Sequence, residues 1–190
     1  MTSELESMLA RHEQGEDTLE LKNADLRGMD LSGRDLTHIV LYESQLDRVS
    51  LRGADLYGSN LSGSSLVEAD LRGAQLSKSE FAGANLCGAH LEGAIANRIG
   101  LDGADLRGAD LTEADIGGAA LVGADLRGAI LRGTGLDRVL FDRTRVYAAD
   151  LRGATGLDGA TVVSIDIGET EPVRLDGDAA RAWLVDRISS

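Results

Sequence analysis

The chain of 190 residues reads as an all-β solenoid, a coil in which a short extended piece and a corner alternate every five residues. Three columns of residues predict it. From Leu21 to Leu151 every fifth residue is apolar: 22 of these 27 positions are Leu, and the others are Phe81, Ala96, Ile116, Phe141 and Val146. Two residues before the apolar centres runs a mostly small column, Ala at 15 of its 27 positions from 24 to 154, and two residues after the centre Gly holds 16 of 27. Asp or Asn is frequent just before the centre, so the unit reads Ala-Asp-Leu-Xaa-Gly.

A period of five matches neither the 3.6 of a helix nor the strict 2 of a long strand. Within a unit, Ala and Leu are two apart, so both side chains point to one side of a three-residue extended piece and the Asp between them points away. The two remaining residues turn the chain, and Gly provides the positive φ that a tight corner needs. No unit can bury anything alone. A core forms only when successive coils stack.

The runs Ala104-Asp105-Leu106-Arg107-Gly108-Ala109-Asp110-Leu111 and Ala124-Asp125-Leu126-Arg127-Gly128 resemble the pentapeptide repeat family, and the resemblance covers residues 19–167. It implies a right-handed quadrilateral β-helix with four pentapeptides per coil, in which a Leu or Phe ladder faces a ladder of small residues. Roughly seven and a half coils then stand about 36 Å tall at the ~4.8 Å spacing of paired strands. The best known activity in the family is protection of DNA gyrase by acidic members that mimic duplex DNA and relieve topoisomerase poisons. Members also often pair C-terminus to C-terminus.

The ends depart from the repeat. Residues 1–18 are expected to hold a capping helix over 3–14, with Ser3 as N-cap, Glu6 completing a capping box, and Leu5, Met8 and Leu9 forming an apolar stripe. Such a cap covers an otherwise open coil end and its strand edges. At Thr155-Gly156 the register slips once, then continues through Leu157, Val162 and Ile167. Residues 168–190 read as a linker with the single Pro172, then a helix from about Asp178 to Ile188. Its stripe of Ala180, Trp183, Leu184 and Ile188 suits either a cap or a dimer contact, Trp183, Leu184 and Ile188 being the contact candidates.

The net charge of −13 is unevenly spread. Residues 1–20 carry −5 and residues 156–190 carry −4, which leaves −4 for the body between them. DNA carries one negative charge per ~1.7 Å of axis, a density the body does not approach. Asp30, Asp70, Asp110 and Asp150 share a face with Arg52, Arg72, Arg132 and Arg152, so their charges are expected to pair across the ladder. The chain also lacks the long loop insertions of some gyrase-protecting members. No apolar run approaches a membrane span, no signal-peptide pattern opens the chain, and lone Cys87 excludes an internal disulfide, so the reading is cytoplasmic.

Departures from the register locate the candidate surfaces. Around Ala96 the centre shrinks while bulky Ile99 takes a small position and Ile95 points out, which reads as repacking or as a local dent. Arg34 occupies an inward small position, where an unpaired charge is costly; Glu6, Glu13 or Asp17 of the cap is its expected partner. Outward Val40, Tyr42, Val122 and Leu140 make one face more apolar than a solvated face requires. With Tyr57, Ile95 and Tyr147 they form the candidate partner or ligand surface.

His12, His38 and His90 fall apart by spacing, and no phosphate loop or dinucleotide fingerprint occurs, so no catalytic, cofactor-binding or metal residue is assigned and no cofactor is expected. The expectation is a non-catalytic binding protein, dimeric through its C-terminal region. By resemblance its partner is DNA gyrase; a general interaction scaffold is the alternative. A third reading is a binder, or a shape-based catalyst of cyclisation, for a small hydrophobic molecule held in a groove. Direct nucleic-acid or membrane binding is not expected.

Overall fold

The structure, a computed structural model, describes residues 3–15 and 19–189. From Glu20 onward the backbone forms single-residue parallel bridges at a spacing of twenty, beginning Glu20↔Val40, Asp25↔Gln45, Asp30↔Ser50 and Asp35↔Asp55 and ending at Gly135↔Thr155. Each coil therefore contributes four bridges, and the chain is a β-helix. One unit shows how. The N–H groups of Leu51 and Gly53 donate to the carbonyls of Asp70 and Arg72 in the next coil, and Asp55 N–H donates to Arg34 in the previous one. Ala54 N–H closes the corner onto the Leu51 carbonyl, and Gly53 takes a φ of 64° as the third residue of that turn.

Inward side chains form one continuous core in which the centres from Leu36 to Leu151 are buried. Where Ser or Thr replaces Ala in the small column, its hydroxyl is satisfied by the backbone. Ser59 Oγ donates to the Leu36 carbonyl at 2.7 Å, Thr134 Oγ1 to Leu111 at 2.8 Å and Thr144 Oγ1 to Leu121 at 2.7 Å. A buried hydroxyl without such a partner is costly. The coil around Ala96 keeps its bridges, Gln75↔Ile95↔Asp115, and Ile99 and Ala96 are both buried, so the irregular unit repacks without a break in the ladder.

At the N-terminal end, α1 (Ser3–Glu13) inserts Leu5 and Leu9 into the core. Arg34, three-quarters buried, reaches α1: its guanidinium bonds the Glu6 carboxylate and lies 3.1 Å from Glu13. Asp17 and the Ser3 side chain lie outside the described residues.

The C-terminal end differs more from the sequence reading. The slip sits at Gly156, whose φ is 78° and where a Cβ would stand 2.6 Å from the Asp137 nitrogen, so only glycine fits. A 3-10 turn over Leu157–Gly159 follows, and the bridge spacing becomes 21. Here β1 (Leu140–Phe141) pairs in parallel with β3 (Thr161–Val162), and β2 (Thr144–Arg145) with β4 (Ser164–Asp166). The segment read as a linker then reverses. Arg174–Asp176 forms β5, antiparallel to β4 with Ile165 opposite Leu175, and so covers an edge that an open coil would expose. Finally α2 (Gly177–Ser189) packs Ala180 and Leu184 into the core, and Arg181 donates to the carbonyls of Leu157 at 2.8 Å and Ala160 at 2.5 Å.

Candidate binding surfaces

Outward residues stack in columns at twenty-residue intervals, so each surface is decided by which residues the ladder brings level. Val40 and Leu140 share one column, but Asn60 and Glu80 interrupt it. Val40 and Tyr42 therefore form one small apolar area near the N-terminal end. Ala120, Val122 and Leu140 form another near the C-terminal end, and Val163, 46% exposed, adjoins it on the last coil. Ile95, 42% exposed, stands alone between Gln75 and Asp115.

Tyr57 is built into a cluster of different character. Its hydroxyl accepts from Lys78 Nζ at 2.5 Å, that ammonium lies 5.1 Å from its ring centroid, and the His38 ring meets it edge-on at 5.7 Å. Tyr147 is at the other end. Its hydroxyl donates to Glu169 Oε2 at 3.2 Å, and this bond raises the phenol above its ordinary pKa.

The dimer candidates divide on burial. Leu184 is wholly enclosed by the chain's own core, whereas Trp183 and Ile188 are half-buried and Val185 is exposed. Trp183 carries the Arg187 guanidinium on its ring at 4.9 Å. Trp183 and Tyr147 come together on a cleft of about 590 Å³ between α2 and the last coils, floored by Ala149, Leu151 and Ile167. Sequence reasoning missed Val163, Val173 and Arg187. The i, i+4 spacing of Trp183 and Arg187 on a helix was the one available signal for the last.

The charges pair across the ladder, as expected, and also within single units. Asp and Arg flanking one apolar centre emerge on the same side of the extended piece, so they bond within a unit. Asp70–Arg72 and Asp150–Arg152 do so on one face, and Asp25–Arg27, Asp105–Arg107 and Asp125–Arg127 on another, all with N···O distances of 2.6–2.7 Å. Across the ladder Arg132 reaches Asp150 at 2.5 Å, Arg48 reaches Glu68 at 2.8 Å, and Arg145 lies 3.3 Å from Asp125 and 3.4 Å from Asp166. The bond from Arg27 holds Asp25 down at about 2, and Arg72, Arg107 and Arg152 hold Asp70, Asp105 and Asp150 below the usual carboxylate range. These carboxylates are fixed anions that accept from their arginines. Among the described residues no group of His, Cys, Asp and Glu is arranged to hold a metal ion. No helix there is long and apolar enough to cross a membrane.

A twenty-residue coil bridged at each of four units, with Leu inside and small residues beside it, defines a pentapeptide solenoid. The chain belongs to the pentapeptide repeat family, whose pattern matches in eight copies over residues 20–58, 54–93, 101–128 and 121–155. The interval left between 93 and 101 contains Ala96 and Ile99. Among solved structures, trypsin-treated QnrB1, described as a plasmid-mediated fluoroquinolone resistance protein, is 16% identical with a TM-score of 0.46, over 78% of this chain and 81% of that one. HetL of Nostoc sp. strain PCC 7120, described as involved in regulation of heterocyst differentiation, is 26% identical with a TM-score of 0.25, over 90% and 99%. Rfr23 of Cyanothece 51142 is 22% identical with a TM-score of 0.33, over 83% and 98%. No match was found among curated proteins.

Proposed function

We propose that the protein is a non-catalytic binding rod: a right-handed, four-sided solenoid with helical ends, paired as a homodimer through its C-terminal end. One observation supports the pairing. Of the six large apolar side chains most exposed among the described residues, Tyr147, Val163, Val173 and Val185 lie on the last coils or on the elements packed over them. Exposed apolar area gathered at one end marks a contact surface. Trp183→Glu is a poor test, because Trp183 packs against the chain's own core. Val185→Glu is a better one. Sedimentation of the wild type is expected to give a dimer, and of Val185→Glu a monomer with an unchanged melting temperature. A monomeric wild type overturns the pairing.

Family membership makes DNA gyrase the first partner to test, with relief of topoisomerase poisons as the activity. The in-unit Asp–Arg bonds argue against mimicry of duplex DNA along the whole rod, so the acidic ends are the parts that would carry it. Supercoiling by purified gyrase is measured with and without a fluoroquinolone at micromolar protein. Reduced inhibition by the drug is expected. Neither inhibition nor protection would remove gyrase and leave the scaffold reading, which the apolar area of Ala120, Val122 and Leu140 favours.

A further inference from the structure

The cleft at the C-terminal end has a structural cause. After the slip, the last coil supplies Leu157, Val162 and Ile167, but the chain then reverses into β5 instead of laying a strand over Leu151. The stack stops one side short of a full turn. The second half of α2 bridges the missing side, and Gly153 N–H donates to the Ile188 carbonyl. The space left under the bridge has a floor of Ala149, Leu151 and Ile167, with Trp183 and Tyr147 at its sides. At about 590 Å³ it falls within the range of small-molecule sites.

Its charge is opposite to that of the chain as a whole. Arg187 lines the cleft, lies on the Trp183 ring and, among the described residues, forms no ion pair. Arg152 also lines it and bonds Asp150 at 2.8 and 2.6 Å, while Arg132 bonds the same Asp150 at 2.5 Å. Two guanidiniums thus share the Asp150 carboxylate, which also lines the cleft, and Arg187 is left there as an uncompensated positive charge in a protein of net charge −13. On the opposite side the Tyr147 hydroxyl is turned to Glu169 at 3.2 Å, an acceptor that repels an anion. The polarity runs from cationic at Arg187 and Arg152, through an apolar floor, to acidic at Glu169.

We infer that this cleft binds a small aromatic acid, its anionic group on Arg187 and Arg152 and its flat apolar body over Ala149, Leu151 and Ile167 against Trp183. An inorganic anion leaves the apolar floor uncovered. A neutral apolar molecule leaves Arg187 without a counter-charge. The inference does not depend on the dimer or on gyrase.

Trp183 is the single tryptophan of the chain, so its fluorescence reports on the cleft directly. Anilinonaphthalene sulfonate is the anionic probe and phenylnaphthylamine its uncharged counterpart. Energy transfer from Trp183 to the sulfonate is expected to saturate at one probe per chain. Arg187 is exposed, so Arg187→Gln should keep the wild-type melting temperature while weakening sulfonate binding about tenfold. The same change should leave phenylnaphthylamine binding as it was. Arg98→Gln, an exposed arginine remote from the cleft, should alter neither. Absence of saturable transfer, or equal sulfonate binding by wild type and Arg187→Gln, overturns the inference. Displacement of the probe by equimolar inorganic phosphate would also overturn it, because a general anion patch would then suffice.

Discussion

At each corner from residue 23 to residue 153, the residue two places after the apolar centre has positive φ, whether or not it is glycine. Asn23, His38, Glu43, Arg48, Glu68, Lys78, Arg98, Glu113, Arg138, Arg143 and Ala148 all take φ between 53° and 61° there. The stacked coils impose the turn, and a side chain in that region is strained by roughly 1–2 kcal/mol. Ala148 is the cleanest probe because it is exposed and its methyl makes no polar bond. Ala148→Gly is expected to raise unfolding stability by about 1 kcal/mol, the relief of strain exceeding the added unfolded-state entropy of glycine. Denaturant midpoints measure this. A loss of stability would show that the corner is not strained.

Within one unit, volume is conserved between neighbouring columns. Ala96 takes up less space at a centre, and Ile99, the next small-column residue, takes up more; both are 1% exposed, and their coil keeps its bridges. Ile99→Ala should therefore open a cavity and cost about 2–5 kcal/mol, and Ala96→Leu alone should overpack by about 1–3 kcal/mol. Combined, they restore the consensus unit, so the double variant should be more stable than the sum of the single effects predicts. Additive losses in thermal melts would mean that the two side chains do not share one space. The same unit was legible in the sequence as an irregularity. Its resolution as repacking was not, because the choice depends on whether the backbone yields, and bonds from the coils on either side hold it.

Over the whole molecule, acid stability follows from the in-unit ion pairs. Asp25, at about 2 when folded against 3.8 unperturbed, and Asp70, Asp105 and Asp150, also lowered by their arginines, bind fewer protons folded than unfolded as pH falls. Their stabilisation is complete above the unfolded value and is lost as pH drops through the folded one. Melting temperature is therefore expected to be level from pH 8 to about 5, and to fall between about 4 and 2. The fall should be shallower at high salt, which screens exposed pairs. A melting temperature unchanged down to pH 2 would contradict the assignment. Because these pairs offset most of its acids, the body of the rod carries only −4 from residue 21 to residue 155, and the two short ends are the more densely acidic parts.

By itself the sequence determined the period of five, the residues that face inward, the slip at Gly156 and the helices at either end. Each of these is local: alternation, residue size and corner chemistry repeat within a few residues. The candidate surface was legible only in part. Tyr147 and Trp183 were picked out, but nothing near them in the chain says that they meet. Only the tertiary structure decided that β5 reverses to cover the last edge, that Leu184 belongs to the core and Arg187 to a cleft, and that Glu6 and Glu13 hold Arg34 together where the sequence offered either of them. These depend on where the stack stops. The end of a coil exposes strand edges and carbonyls whose partners come from segments far away in the chain, and no repeat encodes them.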